Sequence, residues 1–109
     1  MTAQLARKEY VNLNPIIYAE DEEDDVFCMQ RAFGAAGVSN QLLILPDGQE
    51  AIDFCSCRGR YANRKKDPFP CLLLLDLKLP KLSGMEVLKW VRKEPSISTL
   101  PIIVLSSLV

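Results

Sequence analysis

The chain has 109 residues, enough for one domain and too few for a second independent core. Thirteen basic residues stand against fourteen acidic ones, a net charge of −1, which excludes broad cationic attraction to nucleic acid or a membrane surface as the main function. With no histidine in the chain, Ser-His-Asp and Cys-His catalysis and His-ligated zinc or haem are excluded too.

The longest apolar run, Cys71 to Leu75, is too short to span a bilayer. Met1 to Glu9 lacks the apolar segment of a signal peptide, so the expected location is cytoplasmic. Cys28, Cys55, Cys57 and Cys71 include no C-x-x-C pair. A four-thiolate zinc site is disfavoured because Cys71 opens a strand that reads as buried, and the cysteines are expected to be structural thiols in a reducing compartment.

Residues 1–14 read as a polar leader and 15–109 as the domain. The first strand is Ile16 to Ala19, rich in β-formers and bounded by Pro15. Val26, Met29, Phe33 and Ala36 recur at spacings of three and four, which predicts a helix stopped by Gly37. Gln41 to Leu45 reads as the second strand, ending at Pro46. Asp47 and Glu50 have the form of a capping box, so a second helix is expected from about Gly48 to Cys57. The polar, basic stretch from Arg58 to Pro70 reads as a long loop whose charges face solvent, partner docking being the alternative.

Cys71 to Leu75 is the third strand, a continuous apolar run suited to burial on both faces. The third helix spans about Ser83 to Lys93 with Met85, Leu88 and Val91 inward and Trp90 partly exposed, and Glu94-Pro95 ends it. Pro101 to Leu105 forms a fourth strand leading to Ser106. This alternation predicts an α/β domain with a parallel sheet, right-handed crossovers and helices on both faces. Ligands of such sheets sit beyond the carboxyl ends of the strands.

Those ends carry Glu20 and Asp21 after the first strand, Asp76 after the third and Ser106 after the fourth. Three carboxylates at one edge repel one another unless a cation is present, and a hard divalent ion accepts such oxygen ligands. An aspartate beside a cation can also attack phosphorus to give an acyl phosphate, with a serine hydroxyl bonding the phosphoryl oxygens. Glu22 to Asp25, in contrast, read as a solvated helix start favoured by the macrodipole.

Glu20-Asp21, the segment Leu75-Asp76-Leu77-Lys78-Leu79-Pro80-Lys81-Leu82-Ser83-Gly84 and the run Leu100 to Ser106 together resemble the receiver domain of two-component response regulators. The resemblance covers about residue 16 to the end, in the family's order and spacing. With Asp47-Gly48-Gln49-Glu50-Ala51-Ile52 and the basic loop, it is similar to a subgroup of small stand-alone, CheY-like receivers, some serving phytochrome-type and other bacterial sensor kinases.

The resemblance implies that Asp76 is the phosphoacceptor and Ser106 the switch hydroxyl. It implies Mg2+ held by Asp21 and Asp76, by Glu20 mostly through water, and by the backbone carbonyl of Lys78, with Pro80 and Gly84 shaping the loop. A sensor histidine kinase would be one partner, and a downstream protein target or phosphotransfer protein the other. The chain would be a signalling domain whose only catalysis is its own Mg2+-dependent phosphorylation and dephosphorylation.

The family's flavodoxin-like sheet has the order 2-1-3-4-5, so the order expected here is 2-1-3-4. The fifth strand, the last two helices and the lysine after that strand have no counterpart before Val109. The fourth strand is therefore expected to be an apolar edge that a second copy or a C-terminal segment covers. Two rivals differ in chemistry. A haloacid-dehalogenase-type phosphatase needs an aspartate two residues after Asp76, where Lys78 stands. A pseudo-receiver would keep the fold as an interaction module without using phosphate.

Overall fold

The computed structural model describes residues 14–63 and 69–106. Arg64 to Pro68, part of the basic loop, and the leader up to Leu13 lie outside the described residues. Four parallel strands, β1 (Ile16–Ala19), β2 (Leu42–Leu45), β3 (Leu72–Asp76) and β4 (Ile102–Leu105), form one sheet in the order β2-β1-β3-β4. The helices are α1 (Glu23–Ala36), α2 (Gly48–Ser56) and α3 (Gly84–Lys93). This is the expected α/β arrangement, with strand ends within a residue of those read from the sequence.

Side-chain alternation along β1 divides the interior in two. Ile17 and Ala19 face α2 and α3 together with Leu45, Leu73, Leu75, Ile52, Phe54, Val87 and Val91. Ile16 and Tyr18 face the other way with Leu74, beneath the half-buried Val26, Met29 and Phe33 of α1. The fullest burial, at Ile17, Leu73, Leu75, Val87 and Val91, all belongs to the first layer. At about 1.5–3 kcal/mol for each such side chain, that layer carries most of the hydrophobic stabilisation. No residue of α1 is buried, so α1 rests on the sheet more lightly.

Gly37 stops α1 as expected, the capping box expected at Asp47 forms in part, and α3 starts on a complete box at the helix start expected near Ser83. Gly37 closes α1 in the left-handed region at φ 72°. Ser83 and Glu86 form a complete capping box on α3. Asp47 caps α2 by accepting the Glu50 N–H at 2.8 Å, but the Glu50 carboxylate turns away to accept the Tyr61 hydroxyl at 2.7 Å.

Two expectations are corrected. Met85 is 47% exposed, and Val87 takes the inward place. Gly84 sets that phase, because its Cα lies so close to the Asp76 carbonyl and the Leu77 Cα that no Cβ would fit. The inward stripe then runs Gly84, Val87, Val91, with Met85 about 100° round the helix from Gly84. The stretch from Arg58 onward is not all loop, because Gly59–Tyr61 makes a 3-10 turn that packs Tyr61 edge-on against Phe54. Trp90 is half-buried as read.

Beyond β4 no further strand pairs among the described residues, and Ile103 and Val104 are 50% and 42% exposed. Among the described residues no helix is long and apolar enough to cross a membrane.

Candidate functional site

The parallel register decides which residues share the carboxyl edge. Ala19 pairs with both Leu45 and Leu75, so Glu20 and Asp21 leave β1 beside Asp76, the last residue of β3. Asp76 pairs with Leu105, and Ser106 leaves β4 next to it. The Glu20 N–H donates to the Leu45 carbonyl at 3.0 Å and the Leu77 N–H to the Leu105 carbonyl at 3.2 Å. The ladder thus continues one step past the strands, and the carboxylates start from fixed backbone.

One carboxylate oxygen from each of Glu20, Asp21 and Asp76 lies within 4.8 Å of the others. Glu20 is buried, Asp76 half-buried and Asp21 exposed. Burial is the main reason the Glu20 carboxyl is held above the usual carboxylate range, and the hydrogen bond and charge of Asp76 add to it. Two donors work the other way: the Glu22 N–H reaches Glu20 Oε2 at 3.2 Å, and the Tyr18 hydroxyl reaches Oε1 at 3.1 Å. The Tyr18 phenol is itself pushed well above its ordinary range, first by burial and then by the Glu20 charge.

The loop after Asp76 is tied at both ends. Asp76 Oδ1 accepts the Lys78 N–H at 3.1 Å, and the Leu77 carbonyl accepts the Gly84 N–H at 3.1 Å. The Pro80 carbonyl accepts from Leu82 at 2.8 Å and from Gly48 at 3.3 Å, across the start of α2. Lys81 sits between at φ 67°, the centre of a γ-turn, with its Nζ 3.4 Å from Asp47 Oδ2. A Cβ at Gly48 would overlap the Leu82 carbonyl, so glycine permits this contact.

These groups open on a cleft of about 580 Å³ lined by Tyr18, Glu20, Asp21, Asp76, Lys78 and Ser106 among others. The donor set is all oxygen, compact and mutually repulsive, which fits a hard divalent cation and no soft one. Every site residue read from the sequence therefore reaches one edge; Glu22, Glu23, Asp24 and Asp25 are exposed, and of these Glu22 and Asp25 also line the cleft. Sequence reasoning passed over Tyr18. Its signal was a lone hydroxyl in an aliphatic strand, two residues before Glu20 and hence on the same face.

A doubly wound parallel sheet with this acidic trio at its carboxyl edge defines a receiver-type domain. No model of a known protein family matches the chain. Response regulator Rcp1 of Synechocystis sp. is 36% identical over 92 residues, which are 84% of this chain and 60% of Rcp1. The chain thus spans less than two thirds of that relative. The bacteriophytochrome response regulator AtBRR superposes with a TM-score of 0.83 at 35% identity, over 89% of this chain and 69% of AtBRR.

Two further structures match with a TM-score of 0.78 at 34% identity. They are the phosphorylated cyanobacterial phytochrome response regulator RcpA, over 91% of this chain and 69% of RcpA, and the Mn2+-bound form of Rcp1, over 90% and 68%. The chain belongs to the receiver family of two-component response regulators.

Proposed function

We propose that this chain is a phosphorylation switch in which Asp76 accepts a phosphoryl group from the phosphohistidine of a sensor histidine kinase. The observation that carries this reading is the convergence of Glu20, Asp21 and Asp76 at the ends of β1 and β3. A carboxylate oxygen of Asp76 attacks phosphorus, the P–N bond breaks, and the leaving imidazole takes up a proton. Asp21, Asp76 and the Lys78 carbonyl are the ligands we assign to Mg2+, with Glu20 acting through water. The bound cation supplies charge neutralisation for the transferring group.

Asp76 carries the new bond, and the loop from Lys78 to Gly84 holds its backbone still. The Ser106 hydroxyl, on the same cleft, donates to a phosphoryl oxygen and draws the end of β4 toward the site. Output then passes by contact with a downstream protein or by onward phosphotransfer. Mn2+ in Rcp1 and the phosphorylated state of RcpA support both parts of the reading by likeness. The complete acidic trio weighs against a phosphate-independent pseudo-receiver.

The test is intact-mass measurement after incubation with acetyl phosphate and Mg2+, or with the phosphorylated kinase domain. Wild-type protein should gain one phosphoryl group and Asp76→Asn none. Equal incorporation in both, or none in either, overturns the proposal.

A further inference from the structure

We propose that the Tyr18 hydroxyl is a positioning group of the acidic site, holding Glu20 in the conformation from which it serves the divalent cation. The inference rests on the metal-binding reading above. Tyr18 belongs to an apolar layer with Ile16 and Leu74, where phenylalanine would satisfy packing equally well. A buried phenol hydroxyl is costly unless bonded, and Tyr18 is 2% exposed. Its bond goes to Glu20 Oε1, at 3.1 Å.

Glu20 needs such a hold. Its carboxylate lies in the interior, with the oxygens of Asp21 and Asp76 within 4.8 Å. Like charges at that range push the side chain away from the position a cation requires. The Glu22 N–H pins Oε2 from the backbone and Tyr18 pins Oε1 from the sheet, so both oxygens are restrained while each keeps a lone pair directed elsewhere. The backbone arm survives any side-chain substitution, whereas the tyrosine arm is a single removable atom. Outer partners that orient a ligand in this way typically govern about 10–100-fold in metal affinity.

The experiment is calorimetric titration with Mn2+ of the full chain as wild type, Tyr18→Phe, Glu20→Gln and the double variant, each first shown by circular dichroism to be folded. Tyr18→Phe should weaken Mn2+ binding about 10-fold. Glu20→Gln should weaken it too, and the double variant should lose nothing beyond Glu20→Gln, because Tyr18 acts through Glu20. A wild-type affinity in Tyr18→Phe overturns the proposal, as does an undiminished 10-fold loss in the Glu20→Gln background, which would mark a general packing effect. Should Tyr18→Phe not fold, Tyr18→Met supplies a second hydroxyl-free side chain under the same criteria. Wild-type protein that binds no Mn2+ overturns the metal-binding reading itself, a result distinct from either failure of Tyr18.

Discussion

Asp76→Asn should stabilise the metal-free domain while removing the phosphoacceptor proposed above. The carboxylates of Glu20 and Asp76 approach within 4.8 Å, where two full charges at an effective dielectric constant of ~20 repel by about 3 kcal/mol. Asp76 is only half-buried, so solvent screening reduces this to about 1–2 kcal/mol. Asparagine is nearly isosteric, keeps an oxygen for the Lys78 N–H and offers an N–H to Glu20 in place of a charge. The expected gain at neutral pH in EDTA raises Tm by roughly 4–8 °C per kcal/mol for a domain near this size.

The pH dependence has a definite sign. Because the folded state holds the Glu20 carboxyl above its ordinary value, that group favours folding most at low pH. The advantage disappears as pH rises from the ordinary carboxylate range through the folded value. The benefit of Asp76→Asn should therefore be small in acid and grow as pH rises through the folded value of Glu20. If Mg2+ binds as proposed, saturating Mg2+ should reverse the order, because ligand at 100 times Kd adds about 2.7 kcal/mol to wild type, and the variant lacks one of the proposed ligands. Thermal unfolding with and without Mg2+, at acid and neutral pH, measures all of this. An Asn variant less stable than wild type in EDTA at neutral pH, or one gaining equally from Mg2+, would refute the reasoning.

Other substitutions test the frame around the site. Gly48→Ala and Gly84→Ala each place a methyl group against backbone, at Leu82 and at Asp76–Leu77, and should cost about 1–3 kcal/mol in urea unfolding. Ser83→Ala removes the α3 cap and should cost about 1 kcal/mol by the same assay. Tyr61 is pushed up to about 12 by burial and by its bond to Glu50. Spectrophotometric titration of Glu50→Gln should find that phenol ionising at lower pH than in wild type. Since the neutral phenol is favoured in the fold, its contribution to stability is complete below the ordinary tyrosine range and is lost as pH rises toward 12.

The elements most legible in the sequence are those fixed by local chemistry. Pro15 and the run Ile16 to Ala19 mark β1 to the residue, and Gly37 marks the end of α1, because β-branching and left-handed backbone act within a turn. The site was legible for a related reason. In a parallel sheet the residue after each strand reaches the same edge whatever the loops do, so Glu20, Asp21, Asp76 and Ser106 converge once the strands are known.

What periodicity missed depends on contacts between distant segments. Met85 and Leu88 also fit a three-residue spacing with Val91, and only the contact of Gly84 with the backbone after β3 rotates the helix to bury Val87 instead. Glu50 leaves its capping box because the Tyr61 hydroxyl, 11 residues on, competes for the carboxylate.

Tyr18 shows the same limit at the site itself. Strand composition assigns it to the core, and the core does contain its ring. Nothing in the apolar pattern says where the hydroxyl goes, and a residue sorted by hydrophobicity alone loses its one polar atom from view. The two-residue strand period supplies the missing step, since it places position 18 on the same face as position 20. A buried donor and a buried acceptor on one face, at adjacent positions of that face, must satisfy each other or be satisfied by something else. Here the Tyr18 hydroxyl and Glu20 meet at 3.1 Å, and a residue read as packing becomes part of the acidic site.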